Sequence, residues 1–348
     1  MTKLFTPLTV GRMELSNRIA MAPMTRFRID DNHAPLPIVK DYYAQRGSVP
    51  GTLLISEATL ISARAGGFPN VPGIYNDAQI AAWKEVTDAV HAKGSHIYLQ
   101  LWGLGRVANP DFLKASSGDE IISSSATPVS PDAPVPRALS ESEIRDWIAD
   151  YAQAARNAIA AGFDGVEIHA ANGVEGRARF AIEIARAVVD AVGADRTGIR
   201  FSPWSPFQGM RMVDPKPQFE YLARQLVPMG LAYVHLVESR IAGNADVEQD
   251  DRLDFFLRAY GKASPVIIAG GYVAESAVQA VDVKYKDYDA VIGIGRPFIS
   301  NPDLPFRVKE GIPLVPYDRD TFYIPKDPKG YIDYEFSAEF NKSVEAVA

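Results

Sequence analysis

The sequence predicts an α/β protein, a (β/α)8 TIM barrel formed as one domain over residues 1–348. Three observations point to it. Eight short apolar runs rich in β-formers recur along the chain, and helical patterns fill the gaps between them. The runs are apolar throughout instead of alternating, which suits strands buried on both faces of a parallel sheet. No GxGxxG turn follows the first run, so the doubly wound sheet, the alternative with the same alternation, lacks its usual opening.

The elements follow in order. The segment "LFTPLTVGRMELSNR" reads as an N-terminal hairpin that caps the barrel bottom. Strands are expected at 19–21, 52–57, 96–101, 165–169, 198–202, 233–236, 266–269 and 290–294. Helical periodicity covers 38–45, 77–92, 141–161, 177–192, 217–229 and 274–281. Ser140 and Glu143 form a capping box ahead of the longest of these helices. Residues 103–139, rich in Pro, Ser and Asp, make a long excursion after strand 3 that should fold over the barrel mouth.

Composition narrows the function classes. Hydrophobic residues make up 47% of the chain, enough for a large core, and the formal net charge is −7. The pI near 5.4 argues against a nucleic-acid partner or an anionic membrane surface. With no cysteine, disulfides, thiolate metal sites and cysteine nucleophiles are excluded. The five histidines show no HExxH-type spacing, so no metal site is expected. The N-terminal stretch lacks a signal-peptide core, and no apolar run approaches the roughly 20 residues that span a bilayer. A cytoplasmic protein, monomer or homodimer, is the expectation.

Active sites of such barrels lie at the C-terminal ends of the strands. There the sequence places Thr25 and Arg26, Ala58, Gln100 and Trp102, His169 and Asn172, Arg200, the "AGG" of 269–271, and Gly293, Gly295 and Arg296. No lysine closes a strand, which speaks against Schiff-base chemistry. A lone Gly-Arg would read as a turn with a surface ion pair. Beside "AGG" on the neighbouring strand, Gly295 and Arg296 read as a phosphate site. Gln100 interrupts the apolar run "IYLQLW", and a buried amide needs partners, either nearby backbone or the imide of a ligand ring. Arg200 must pair with an acid such as Glu57 or face an electron-rich ligand. His169 alone would read as a core histidine; with Asn172 it could donate two hydrogen bonds to one oxygen.

Together these motifs resemble the Old Yellow Enzyme family of FMN-dependent ene-reductases. The resemblance rests on "LFTPLTVGRMELSNRIAMAPMTR", "YYAQRGSVPGTLLISEAT", "GFDGVEIHAANG", "RTGIRFSPW", "GRPFISNPDLP" and "YDRDTFYIPKDPKGYIDY", in that order over nearly the whole chain. It implies that FMN is bound and that NADPH or NADH supplies hydride. Pro23, Met24, Thr25 and Ala58 would border the flavin. Gln100 would pair with its pyrimidine edge, and Arg200 would stand near N1 and O2. Gly271, Gly295 and Arg296 would hold the phosphate. His169 and Asn172 would grip the carbonyl oxygen of an enone or enal substrate, with Phe68, Trp102 and Tyr323 as walls.

The chain departs from the family pattern at one place. After "HAANG" the family continues with a Tyr, the usual proton donor to the α-carbon, and then a long loop rich in charges and glycine. Here Gly173 is followed by Val174, Glu175, Gly176 and Arg177, so Val174 stands where the Tyr belongs and the loop is absent. The implied activity is therefore an ene-reductase, with a flavoprotein isomerase or a vestigial flavin-binding protein as the alternatives. Glu175 is conceivable as a replacement acid, and the blander reading is a solvated carboxylate.

Overall fold

A computed structural model describes residues 2–170, 176–239, 241–242, 245–246 and 252–346. Eight parallel strands close into a barrel: β1 (Ile19–Met21), β2 (Leu53–Ile55), β3 (His96–Trp102), β4 (Gly165–His169), β5 (Thr197–Phe201), β6 (Tyr233–Val237), β7 (Val266–Ala269) and β8 (Ala290–Ile294). Each pairs with its neighbours in sequence, β8 pairs with β1, and so no barrel edge is left open. At least one helix follows each strand, and the outer ring is α1 (Pro37–Arg46), α2 (Asp77–His91), α3 (Glu141–Ala160), α4 (Gly176–Val192), α5 (Lys216–Leu226), α6 (Asp254–Tyr260), α7 (Ala274–Gln279) and α8 (Leu304–Glu310), with a short helix at Arg296–Ser300 between β8 and α8. No helix among the described residues is long and apolar enough to cross a membrane.

The expected hairpin forms from Leu8–Val10 and Met13–Leu15. Its Val10, Met13 and Leu15 enter one apolar cluster with Ala20, Leu53, Ile55, Tyr98, Tyr233, Ile267 and Val291, which plugs the barrel bottom. Two tyrosines fill the width. The Tyr98 and Tyr233 rings lie 5.4 Å apart. They fit because Gly165 and Gly198 have no side chain; a Cβ at either would stand 2.4 Å from a tyrosine ring carbon.

The capping box forms as expected. Ser140 Oγ accepts from the Glu143 N–H at 3.3 Å, and the Ser140 N–H donates to Glu143 Oε2 at 2.7 Å. The excursion after β3 holds a helix at Pro110–Ser117 and a small parallel pair, Ile122–Ser123 with Arg137–Ala138. Three expectations need adjusting. The strand expected at 52–57 is shorter, because Ser56 Oγ and the Glu57 N–H turn to local partners. The helix expected to 229 ends at Leu226 and tightens into a 3-10 turn at Val227–Met229, where Pro228 has no N–H to continue it. The pattern missed α6 and α8 altogether; each is only seven residues long, about two turns, too short to show a helical period.

The chain after α8 runs back across the barrel mouth, where buried arginines hold it. Arg28 places all five of its N–H donors on backbone carbonyls: Asp327, Arg26, Phe322, Thr321 and Lys329, at 2.6–2.9 Å. Arg26 adds bonds to the Phe322 and Gly330 carbonyls. Tyr331 stacks on Tyr42 at 4.0 Å and lies 5.1 Å from the Arg28 guanidinium. Burial, aided by Arg26, lowers the Arg28 pKa to about 10, which leaves it charged at neutral pH.

Arg28→Leu should therefore lower unfolding free energy by about 3 kcal/mol or more, since charge-assisted bonds are lost and their carbonyls orphaned. Arg28→Lys should recover only part of this, because an ammonium offers three donors without the planar fork. Chemical denaturation together with limited proteolysis at 316–336 checks both; undiminished protection of the tail in Arg28→Leu would contradict the assignment.

Candidate active site

The C-terminal strand ends open into one cavity of about 960 Å³, a size suited to a small-molecule site. It gathers the predicted residues from across the chain. Pro23, Met24 and Thr25 follow β1, and Ala58 follows β2. Gln100 and Trp102 come from β3, His169 from β4 and Arg200 from β5. Gly271 follows β7, Gly295 and Arg296 follow β8, and Phe68 and Tyr323 come from flanking segments. Asn172 lies outside the described residues, as do Gly173, Val174 and Glu175.

Charged and polar side chains build the floor. Gln100 on β3 is level with Glu167 on β4, and Arg200 on β5 is level with His169 on one side and His235 on the other. Gln100 Nε2 donates to Glu167 Oε1 at 2.7 Å. His235 Nδ1 lies 2.8 Å from Glu167 Oε2. Burial opposes ionisation of Glu167, yet His235, Arg200 and Gln100 together outweigh it and hold its pKa below the ordinary carboxylate value. Burial lowers the Arg200 pKa, and Glu167 counters that. The acid whose charge acts on Arg200 is thus Glu167 on the adjacent strand, across space and without a direct ion pair, and the pairing with Glu57 offered by the sequence does not form. Arg200 Nε is buried and has no acceptor among the described residues.

Glu57 has a different setting. Its Oε2 accepts from the Arg26 N–H at 3.2 Å, and its own N–H donates to Tyr43 Oη at 2.8 Å. Burial raises its pKa to about 7 against the pull of Arg26 and Arg28. A large fraction of this carboxyl is therefore protonated at neutral pH.

His169 stands half-buried at the cavity wall. Burial first, and then the charge of Arg200, lowers its pKa to about 4. The ring is neutral at physiological pH and so carries one N–H for donation. On the far side, Gly270 and Gly271 have φ of 148° and 71°. A Cβ on Gly270 would also stand 2.8 Å from Glu238 Cβ. The "AGG" turn needs glycine on both counts, and it brings backbone against the cavity. Glu238 itself is fixed by Lys284 Nζ at 2.6 Å and Tyr285 Oη at 2.5 Å.

The walls are aromatic and apolar. Phe68 and Trp102 meet with ring centroids 6.3 Å apart, and Phe27 and Tyr323 meet edge-on at 5.7 Å. Ile122, Thr127 and Leu139 of the excursion border the cavity, as expected of a segment folded over the mouth. So do Phe180, Ala181 and Ile184 of α4, which sequence reasoning did not single out. It also missed Glu167 and His235. Their signal was present: each is a charged or titratable residue set inside an otherwise apolar strand, "GVEIH" and "YVHLV".

These groups suit a flat ring with an imide edge and a phosphate tail. Gln100 keeps its carbonyl and one N–H for such an edge after bonding Glu167, and Arg200 Nε is an unused donor beside it. The glycine turn after β7 and the Gly295–Arg296 pair offer an anion site at the customary place in a barrel. The residues fit FMN.

Comparison with known proteins agrees. The sequence profile of the NADH:flavin oxidoreductase / NADH oxidase family matches residues 3–174 and 173–315. A chanoclavine-I aldehyde reductase of Penicillium roqueforti (strain FM164) is 76% identical over 369 positions, covering 100% of both chains. A probable inactive reductase of Epichloe festucae var. lolii is 51% identical over 367, covering 97% of this chain and 96% of the other. Among solved structures, an Old Yellow Enzyme from Pichia sp. AKU4542 superposes with a TM-score of 0.88 at 36% identity, covering 97% of this chain and 94% of that one. The alignment of 369 positions exceeds the 348 residues present here, so at least 21 have no counterpart in this chain. The profile match breaks at 173–174, where the sequence pattern shows the loop to be absent. Fold, cavity and sequence together make this chain a member of the Old Yellow Enzyme family of flavin oxidoreductases.

Proposed function

We propose that the protein is an FMN-dependent reductase that uses NADPH or NADH to saturate the C=C bond of an α,β-unsaturated aldehyde or ketone. One observation carries the reading: a neutral His169, the Gln100–Arg200 floor and the glycine turns all face a single cavity. The name of the 76% identical relative, an aldehyde reductase, points to the same substrate class.

Gln100 and Arg200 would hold the polar edge of the flavin, with Pro23, Met24, Thr25 and Ala58 along the ring and Gly271, Gly295 and Arg296 at the phosphate. When bound, FMN supplies the hydride acceptor and donor of the reaction. His169 donates a hydrogen bond to the substrate carbonyl oxygen, with Asn172 as its expected companion. Negative charge grows on that oxygen as the β-carbon is reduced, so a preorganised donor stabilises the transition state more than the ground state. Phe68, Trp102 and Tyr323 sandwich the apolar part of the substrate, and Phe180, Ala181 and Ile184 extend that surface.

A second reading is favoured by the missing segment: a flavoprotein that isomerises its substrate or turns it over poorly. The proton for the α-carbon must come from water or from a group other than the absent Tyr. NADPH consumed per product formed separates the readings. One equivalent per reduced product supports the reductase, and product without net consumption supports the isomerase.

His169→Ala should leave FMN binding intact and lower kcat/KM for enal reduction by a factor of about 10²–10³, the usual loss for one oxyanion donor of about 2.7–4 kcal/mol. A steady-state assay beside an FMN titration checks it. If His169→Ala reduces enals at the wild-type rate, the carbonyl is held elsewhere.

The pH response has a definite sign. His169 is neutral in the folded chain down to about pH 4, whereas an unfolded histidine takes up a proton near 6.5. Between those values the unfolded chain binds the extra proton, so this group lowers stability as pH falls from 6.5 toward 4. Glu57, with its pKa raised to about 7, lowers stability as pH rises from 4.5 to 7. Thermal melts of His169→Gln should therefore lose less stability than wild type on acidification. Those of Glu57→Gln should lose less on passing from pH 5 to 7. Wild-type-like pH slopes in both variants would contradict these assignments.

A further inference from the structure

Within the flavin site just proposed, Glu167 does not line the cavity, yet every polar group of the floor refers to it. We propose that Glu167 is a positioning residue that fixes the Gln100 amide and the His235 tautomer and offsets the charge of Arg200, thereby setting the field that the cavity floor presents to the flavin ring.

Glu167 is fully buried in the middle of β4. Both carboxylate oxygens are engaged, Oε1 by Gln100 Nε2 at 2.7 Å and Oε2 by His235 Nδ1 at 2.8 Å. An ionised carboxylate only accepts, so His235 carries its proton on Nδ1 and leaves a lone pair on Nε2. That Nε2 is buried without a partner among the described residues, and a Cβ on Gly293 would lie 3.6 Å from it. Gly293 lines the cavity, so the basic edge of the imidazole sits just under the floor. The same carboxylate decides which way Gln100 points. An amide can flip and exchange donor for acceptor, and a bond from Nε2 to Glu167 forbids it.

Electrostatics adds a second role. Arg200 is the cation at the floor, and Glu167 is the acid that interacts with it. In a site walled off from water by the plugged barrel bottom, this negative charge tempers the attraction of Arg200 for an electron-rich ring. Replacing the carboxylate by an amide of equal shape leaves Arg200 uncompensated. The bound flavin then becomes easier to reduce, and only one acceptor oxygen, a neutral one, is left for the two donors Gln100 Nε2 and His235 Nδ1.

The test uses the full chain. Glu167→Gln, loaded with FMN and reduced anaerobically against a reference dye, should show a midpoint potential above wild type. A tenfold change in the reduced-to-oxidised ratio at fixed poise is expected, equivalent to about 30 mV for a two-electron couple. In the FMN-free protein, the downfield proton of the His235 Nδ1–H bonded to the carboxylate should be present in wild type and should move upfield or disappear in Glu167→Gln, where at most a neutral amide oxygen accepts it. Glu167→Asp keeps the charge but cannot reach both partners, so FMN affinity should fall about tenfold with the potential unmoved. A folded Glu167→Gln with an unchanged potential overturns the proposal. If Glu167→Gln does not fold, Glu167→Asp decides, and wild-type FMN affinity there overturns it. Should wild type take up no FMN, the functional reading fails by itself. The imidazole resonance then still judges the network, and its absence from wild type overturns the proposal.

Discussion

A guanidinium inside a β-barrel is tolerable only where its charge is answered nearby, and the answer to Arg200 organises the rest of the site. Glu167 supplies it from the neighbouring strand, and in doing so needs His235 and Gln100 to satisfy its own two oxygens. Four adjacent strands, β3 to β6, are thereby committed to polar residues on two successive levels of the barrel, Gln100 with Glu167 and Arg200 with His235. Below those levels the interior is closed by Tyr98, Tyr233 and the N-terminal hairpin. The plug serves the chemistry as well as stability, because charges act over a few ångströms with force only where water is kept out. Above those levels lies the open cavity. The barrel interior thus runs from apolar to charged to open in three steps, with the charged step between a dry base and a ligand.

The mouth follows a different rule. Arg26 and Arg28 are fully buried, more so than the partly exposed Arg200, and bind carbonyl oxygens of the tail. Carbonyl dipoles solvate a cation without cancelling its charge. That leaves net positive charge near Glu57, yet burial still holds the Glu57 pKa up at about 7. The clamp has a functional consequence, since the tail it anchors brings Tyr317, Phe322 and Tyr323 to the cavity. Cavity-lining aromatics far along the chain are set in place by side chains from the segment just after β1.

Much of this was legible in the sequence, for a physical reason. Strand ends of a parallel barrel must converge, so polar residues closing apolar runs, such as Gln100, His169 and Arg200, are brought together by topology alone. Glu167 and His235 sit inside their runs, and nothing local distinguishes a buried ion network from a polar residue awaiting backbone partners. For Arg200 the sequence offered an acid such as Glu57 or an electron-rich ligand; the acid that acts on it is Glu167, which lies inside the run of the adjacent strand and not at its end. α6 and α8 escaped because seven residues make only about two turns, too few for a period to emerge. The tail clamp was equally hidden, since carbonyl acceptors have no sequence signature.

The missing segment after β4 shows how the barrel divides its labour. Every group that suits the flavin comes from a strand end or from the turns after β1, β2, β7 and β8, and none depends on residues between 173 and 177. The family's proton donor, by contrast, belongs to the segment that is absent. The groups that suit the flavin therefore do not depend on that connection. The first turns of α4 now present Phe180, Ala181 and Ile184 to the cavity, where an apolar surface can bind substrate but cannot donate a proton. In the proposed reaction, hydride and proton delivery would be separable, because the flavin contacts are fixed by the sheet and the family's proton donor is carried on a loop that the sheet does not require.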